Sequence, residues 1–383
     1  MAKRVIIIQF AEPVPGDQNF GTPMRGMNLL KSLNQSGCHV DFITNSFFHT
    51  LKCHRYSWFQ TRKMSDVDIH FIPSIGYRNH LGIRRVCDNI ILGILLLRYV
   101  SLFRKANSVF IGYPPLFPSL IASLIARIFG VKYILDVKDK WPDTFVRAGV
   151  PSFIIKLLRR CYSPAFKNAR HVSSISSSYS QWTKDFGAQD SFVSYLTKET
   201  TFAKNIKSIK KTLHPRIKIV FVGSFIECFD FDVLNIALNS DIVDIKLFGE
   251  GPRKPELLNK YGSSSNIKFF NFIDEERVRN EINKAHFSLA PYKDLEDFRT
   301  GIPNKIFDAI SLKTPIITSL LGEGKRLIDK FNCGISYTNS QDLNKLLKDL
   351  TEEKYREMIF GINEANDFFN HESNYFQITK RLL

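Results

Sequence analysis

Along the chain, short unbroken apolar runs alternate with segments whose apolar residues recur at helical spacing. Arg4 to Phe10 (RVIIIQF) is a continuous run of the kind a parallel strand shows when both its faces are buried. A loop rich in turn formers follows. Met27, Leu30 and Leu33 then fall three apart on one face, so a helix is predicted over Met24 to Asn34, closing at Gly37 before the strand HVDFIT. The alternation continues through DIHFIP (Asp68 to Pro73), a long helix over Ile83 to Lys105, SVFIGY (Ser108 to Tyr113) and a helix over Leu116 to Phe129. KYILDV (Lys132 to Val137), a helix over Ser152 to Lys167, the strand HVSSIS and a helix from Tyr179 complete the first half. Regular strand–helix alternation predicts a parallel sheet with helices on both faces.

After a polar, Lys-rich stretch ending at Pro215, KIVFVGSF (Lys218 to Phe225) repeats the opening device, an apolar strand running into a glycine. A helix near Asp232 to Leu238, the strand DIKLFGEG, a helix to Lys260, NIKFFNF, a helix over Glu275 to Lys284 and HFSLAPY follow. A helix from Pro303 to Leu312, the strand PIITSL, a helix over Lys325 to Lys330 and further helices close the chain. The expected organisation is therefore an N-terminal domain over 1–200, a linker over 201–215 and a second α/β domain over 216–365. A terminal helix over 366–383 is expected to pack back on the first domain. Such domains bind ligands at the carboxyl ends of their strands, so the chemistry is sought just after strands.

The 383 residues exceed what one ordinary domain of roughly 100–200 residues needs, in agreement with two domains. Net charge is +16, and it is unevenly placed: residues 1–200 carry 26 basic and 12 acidic side chains, the remainder 27 and 25. An anionic partner is implied for the first half. Cys38, Cys53, Cys87, Cys161, Cys228 and Cys333 stand far apart, without metal-ligand spacing, so neither a zinc site nor a disulfide framework is expected. The apolar run after Arg4 is too short for a signal peptide, and a cytoplasmic location is expected. Ile90 to Phe103 is the most apolar segment, interrupted by Arg98 and flanked by Arg84, Arg85, Arg104 and Lys105. It falls short of the ~20 apolar residues that span a bilayer. Two readings remain, a buried helix or a helix lying on an anionic membrane surface.

Phe298 to Thr318 (FRTGIPNKIFDAISLKTPIIT) carries the strongest chemical signal. Gly301 permits a tight turn, and Pro303 suits a first helical turn because its missing N–H has no intrahelical partner there. The opening of that helix, from Gly301 through Ile302 and Pro303 to Asn304, is a candidate anion site with the positive helix end behind it. Lys305 lies at its mouth. Asp308 shares a helical face with Lys305 and can accept hydrogen bonds from ribose hydroxyls.

This segment resembles the nucleotide-sugar motif of the retaining family 4 glycosyltransferases, particularly the bacterial surface-polysaccharide enzymes with a Pro-(Ser/Asn)-Lys variant. FVGSF with Gly223 and Ser224, LFGEGP with Gly249 and Gly251, and NIKFFNFI occur in the order of that family's C-terminal domain. The resemblance implies the GT-B fold, two Rossmann-like doubly wound α/β domains facing each other across a cleft, with donor-side residues at these positions. LDVKDKWPDTFVRAGV (Leu135 to Val150) is similar to the Asp-x-Trp-Pro-(Asp/Glu) segment of one subgroup. It implies that Asp139, Lys138, Trp141 and Asp143 lie on the acceptor side, with Asp139 orienting or deprotonating the acceptor hydroxyl. In the first loop, Gly21, Thr22 and Arg25 resemble the family's glycine-bearing approach to the donor diphosphate.

The chain departs from the family in two places. Of the usual pair of glutamates eight positions apart, the second position holds Asp308 and the first Thr300. The Lys and Arg often found after the first C-terminal strand are absent, since Ser224 is followed by Glu227 and Asp230. Phosphate neutralisation is then expected to rest on Lys305, Arg25 and Arg299.

The expected activity is transfer of a sugar from a nucleotide sugar to a lipid-linked or growing surface glycan, with retention, without a metal or other cofactor. A peripheral position on the inner face of the plasma membrane would bring the basic half to its acceptor. Two alternatives belong to other classes: a nucleotide-sugar 2-epimerase of similar fold, and a nucleic-acid-binding protein using the basic half. No nucleic-acid module is recognisable, so nucleic acid is not an expected partner.

Overall fold

The computed structural model describes residues 3–17, 24–48, 52–77, 82–197, 211–238 and 241–383. The chain divides into two compact units, Met1–Tyr195 with Glu372–Leu383, and Leu196–His371. The segment expected as linker falls within the second unit, and its residues 201–210 lie outside the described residues.

In the first unit the strands are β1 (Arg4–Ile8), β2 (His39–Asn45), β3 (Phe47–Phe48), β4 (Cys53–His54), β5 (Gln60–Lys63) and β6 (Val67–Ile72). Then come β7 (Ser108–Tyr113), β8 (Lys132–Val137), β9 (His171–Ser174) and β10 (Ser191–Val193). The helices are α1 (Arg25–Gln35), α2 (Ile83–Leu95), α3 (Val100–Phe103), α4 (Leu116–Ile128), α5 (Ser152–Lys167) and α6 (Ser177–Asp185). A 3-10 segment, Leu96–Tyr99, joins α2 to α3, so the helical run from Ile83 to Phe103 is 21 residues, longer than its apolar stretch suggests.

Among the described residues the sheet order is β10-β9-β8-β7-β1-β2-β6-β5, parallel except for β5, which runs antiparallel to β6. Sequence pattern misses β5 because QTRK is polar and largely exposed, as suits an edge strand. β1 shows why the apolar run is unbroken. Val5 and Ile7 face a core with Met27, Leu29 and Leu33 of α1, whereas Ile6 and Ile8 face Leu92, Leu96, Phe103 and Ile125 on the other side. Every second residue alternates between two cores, so no position is left for a polar side chain.

The second unit carries β11 (Ile217–Val222), α7 (Asn235–Leu238), β12 (Val243–Phe248), α8 (Lys254–Tyr261), β13 (Ile267–Phe270), α9 (Glu275–Lys284) and β14 (Phe287–Ala290). It continues with α10 (Glu296–Thr300), α11 (Asn304–Ser311), β15 (Ile316–Thr318), α12 (Glu323–Phe331), β16 (Gly334–Ser336), α13 (Ser340–Lys348) and α14 (Glu352–Phe368). Its sheet is parallel in the order β13-β12-β11-β14-β15-β16. Numbered within the unit this is 3-2-1-4-5-6, the dinucleotide-fold order, whose reversal between the first and fourth strands opens a crevice for ligands.

The last helix, α15 (His371–Leu382), joins the first unit from Glu372 onward. Thr379 Oγ1 lies 2.9 Å from Ser32 Oγ, and Lys3 Nζ donates to the Leu383 carbonyl at 2.8 Å. Tyr375 and Ile378 complete the core on the α1 side.

A buried histidine makes the second unit acid-sensitive. His286 Nδ1 accepts the Lys218 N–H at 2.9 Å, which requires that nitrogen to be unprotonated. Burial, with Lys211 and Lys218 nearby, pushes the imidazole down to about 4. Between about pH 4 and 6.5 the unfolded chain therefore binds more protons than the folded one, and stability falls as pH falls through that window. The loss should be of order 3 kcal/mol by linkage. Chemical denaturation followed against pH should show it. His286→Asn, whose Oδ1 can replace Nδ1 as the acceptor, should flatten the slope; an unchanged slope would assign the acid sensitivity elsewhere.

Candidate functional site

The reversal point of the second sheet gathers most of the residues singled out around Lys305. Gly223 follows β11 directly and its N–H bonds the Phe248 carbonyl at 2.9 Å, while Gly249 follows β12 and bonds the Phe270 carbonyl at 3.2 Å. A Cβ on Gly249 would collide with the Gly223 carbonyl oxygen, and one on Gly251 with the Phe225 main chain. Both glycines also have positive φ, +147° and +157°. They are needed because neighbouring loops touch backbone to backbone.

Gly223 has a second role. A Cβ there would run into the ammonium of Lys305. That ammonium donates to the Val222 carbonyl and stands 4.5 Å from the Phe221 ring centroid and 5.1 Å from that of Phe229. The strand end thus presents a cation across a glycine, with aromatic faces beneath it. The Cys228 thiol is pushed up by burial and pulled the other way by Lys305 and Lys293, which sets both cations beside the loop after β11. Lys293 is also tied to that loop through its N–H, 2.9 Å from the Cys228 carbonyl. Sequence reasoning passed over Lys293 because it lies outside the resembled motif.

The helix opening differs in detail from expectation. Pro303 is the cap preceding α11 and not its first residue. The Gly301 N–H bonds Asp297 O at 2.9 Å and closes α10, so it does not serve an incoming anion. Ile302 is buried, and the main-chain N–H groups at the mouth of α11 are those of Asn304 and Lys305. Thr300 closes α10 from its side chain, donating to the Glu296 carbonyl at 3.0 Å. Arg299 forks onto the Asp294 carboxylate. Asp308 sits one turn beyond Lys305, half-buried near Tyr292, whose phenol burial holds well above its ordinary range.

Beside Gly223 lies a cavity of ≈ 150 Å³ lined by Val222, Gly223, Ser224, Phe248, Gly249, Glu250, Phe272, Ile273 and Val278. Its lining is mostly apolar, and Phe272 is 80% exposed at it. The arrangement suits a flat ring against apolar side chains, with an anionic group reaching the Lys305 ammonium.

In the first unit the geometry removes one candidate and gives a second a structural contact. Arg25 is buried and its guanidinium is saturated: Nη2 meets Asp136 Oδ1 at 2.6 Å, Nε meets the same carboxylate at 3.2 Å, and Nη1 bonds the carbonyls of Ser194 and Tyr195 at 3.1 and 3.0 Å. Its five N–H groups are directed into the protein, so it is a core ion pair and not a diphosphate ligand. Gly21 and Thr22 lie outside the described residues. Asp143 opens a 3-10 turn, accepts the Trp182 indole N–H at 2.7 Å and faces Arg159 at 3.6 Å. One of its oxygens thereby ties the loop to α6, and α5 lies alongside.

The other members of that segment are less constrained. Asp139 is exposed just after β8. Trp141 is half-buried, its ring 4.9 Å from Phe145 with the Arg85 guanidinium 5.1 Å above it. Lys138 reaches Gln9 Oε1 at 2.8 Å and Glu12 Oε1 at 3.2 Å, while Glu12 Oε2 accepts the Gly26 N–H at 2.8 Å. Glu12 thereby caps α1 from outside the helix, a role without a sequence signature at this separation. Among the described residues His39, Asp41 and Asp68 bring ligand-type atoms within 4.8 Å of one another, at the opposite ends of the strands, where Asp41 is held by Arg4 and His70.

Residues 202–353 match the family described as glycosyl transferases, group 1. That span contains Gly223, Gly249 and Lys305. No curated protein sequence matches the chain. Among solved structures, a sucrose-phosphate synthase from Thermosynechococcus elongatus is similar with TM-score 0.67 and 13% identity, over 99% of this chain and 98% of that one. WaaG, a glycosyltransferase involved in lipopolysaccharide biosynthesis, gives 0.60 and 15% over 99% of both chains. Anabaena HepE, solved with UDP-glucose, gives 0.58 and 11% over 98% of both. At these identities the likeness establishes the fold, which is that of the GT-B glycosyltransferases with two Rossmann-like domains.

Proposed function

We propose that the protein is a glycosyltransferase that takes a sugar from a nucleotide-sugar donor and passes it to a lipid-linked or growing surface-glycan acceptor with retention of configuration. The observation carrying this reading is the Lys305 ammonium lying across Gly223 at the reversal point of the second sheet, inside the span that matches the group 1 family. The cavity beside Gly223 would take the nucleotide base, Asp308 the ribose hydroxyls, and the Asn304–Lys305 opening the diphosphate. HepE, a relative in fold, was solved with UDP-glucose, in keeping with a donor of this class. WaaG, named for lipopolysaccharide biosynthesis, is in keeping with a glycan acceptor.

In the reaction the bond from the anomeric carbon to the β-phosphate oxygen breaks while the acceptor oxygen bonds the same face of that carbon. The acceptor proton passes to the departing diphosphate. Negative charge grows on the leaving group, and the fixed Lys305 ammonium with the first-turn N–H groups of α11 would stabilise it without reorganising. Asp139 remains the candidate for orienting the acceptor hydroxyl. No step is assigned to a metal ion.

A panel of nucleotide sugars tested by thermal denaturation of the full chain should single out one donor, since a ligand that binds the folded state raises its melting temperature. With that donor and a lipid-extracted acceptor, NMR should show release of the nucleoside diphosphate and a product with the donor's anomeric configuration. Conversion of the free nucleotide sugar to its 2-epimer without acceptor would replace this reading with the epimerase.

A further inference from the structure

The helical run Ile83–Phe103 presents two apolar faces, and only one of them is covered. Leu92, Leu96 and Phe103 point into the core of the first unit. On the opposite side Ile83, Val86, Ile90, Ile94 and Leu97 recur at intervals of three and four, forming one continuous stripe, and all are exposed, Ile83 by 83%. The neighbouring helices extend this surface. On α4, Leu124 and Ile128 are exposed, the latter by 75%; on α5, Phe153 and Leu157 are exposed, Phe153 by 69%.

The exposed charges carried by these helices themselves have one sign. Arg84, Arg98, Arg104 and Lys105 are exposed along the helical run, Arg127 ends α4, and Lys156 and Arg160 flank Leu157 on α5. From Gly82 to Phe129 the sequence has a single acid, Asp88, which is buried and accepts hydrogen bonds from Ser74 Oγ and the Ile75 N–H at 2.7 and 2.8 Å. A protein partner would need acids interspersed with exposed hydrophobics. A sheet of anionic headgroups over hydrocarbon matches both properties at once.

We infer that the outer face of this helical run, with the exposed tips of α4 and α5, docks on an anionic lipid membrane, the apolar stripe lying in the interface and the arginines and lysines meeting lipid phosphates. The run has the length to span a bilayer, yet spanning would strip Leu92, Leu96 and Phe103 from their core and take Asp88 into hydrocarbon. It lies on the membrane and does not cross it.

The test is co-sedimentation of the full chain with phosphatidylcholine vesicles, alone or with about one-third phosphatidylglycerol. Binding should be at least tenfold stronger to the anionic vesicles. Ile90→Asn with Ile94→Asn should weaken it tenfold or more without changing the melting temperature or nucleotide-sugar binding. Arg104→Ala with Lys105→Ala should remove much of its salt sensitivity. Equal binding to both vesicle types, or undiminished binding by the isoleucine variant, would overturn the inference. So would a dimer that dissociates on the same isoleucine substitutions, since the stripe would then be a contact between copies. The readout needs no donor, so the docking surface and the transferase reading can fail independently.

Discussion

Lys305→Ala should lower turnover by about a hundredfold, the usual scale for deleting one preorganised group facing a developing negative charge. The ammonium stands on a glycine and over two phenylalanine rings, so it is positioned before any donor arrives. Because the charge it would meet grows during the reaction, kcat and kcat/KM should fall together. Gly223→Ala should reproduce the defect with Lys305 present, since its Cβ would occupy the ammonium's position. Steady-state kinetics with the donor found by thermal screening is the measurement. Near-wild-type turnover of Lys305→Ala in a folded protein would remove the lysine from the site.

The second large effect is on stability. Arg25→Ala should destabilise the protein by about 3–5 kcal/mol, because it leaves Asp136 buried with its main cationic partner gone. The Ser194 carbonyl loses its donor as well, while that of Tyr195 keeps the Asn374 amide at 2.9 Å. Donor affinity should be unchanged in the fraction that folds, and the less disruptive Arg25→Lys should show the same separation. Denaturant titration together with donor binding checks both quantities. A loss of donor affinity at unchanged stability would return Arg25 to the phosphate.

Arg25 also shows where sequence reading stops. An arginine one residue into a helix, after a glycine-bearing loop, has the same local pattern whether it faces a diphosphate or a carboxylate 111 residues away. The partner decides, and the partner is a tertiary fact. Asp143 presents the same ambiguity: its claim on Trp182 depends on how a turn folds against α6. By contrast, the unbroken run of β1 was legible because burial on both faces leaves a direct mark on composition. The Gly223–Lys305 pairing was half legible. Both residues are visible as motif members, but only the chain path across β11 and β14 shows that a side chain on the first would displace the ammonium of the second.

The Ile83–Phe103 run was the hardest to read. Two apolar stripes on one helix fit a core and a membrane surface equally, and periodicity alone cannot say which stripe is covered. The coordinates divide the helix between an inner face that supports the sheet and an outer face with no protein against it among the described residues.

The central claim is that the reversal point of the second sheet holds a nucleotide-sugar diphosphate against Lys305. Calorimetric titration of the full chain with the nucleoside diphosphate of its donor tests this most directly, comparing wild type with Lys305→Ala. The account predicts saturable one-site binding that weakens at least tenfold in the variant at unchanged stability. Equal affinity in the two proteins, or no binding of any nucleoside diphosphate by the wild type, would contradict it.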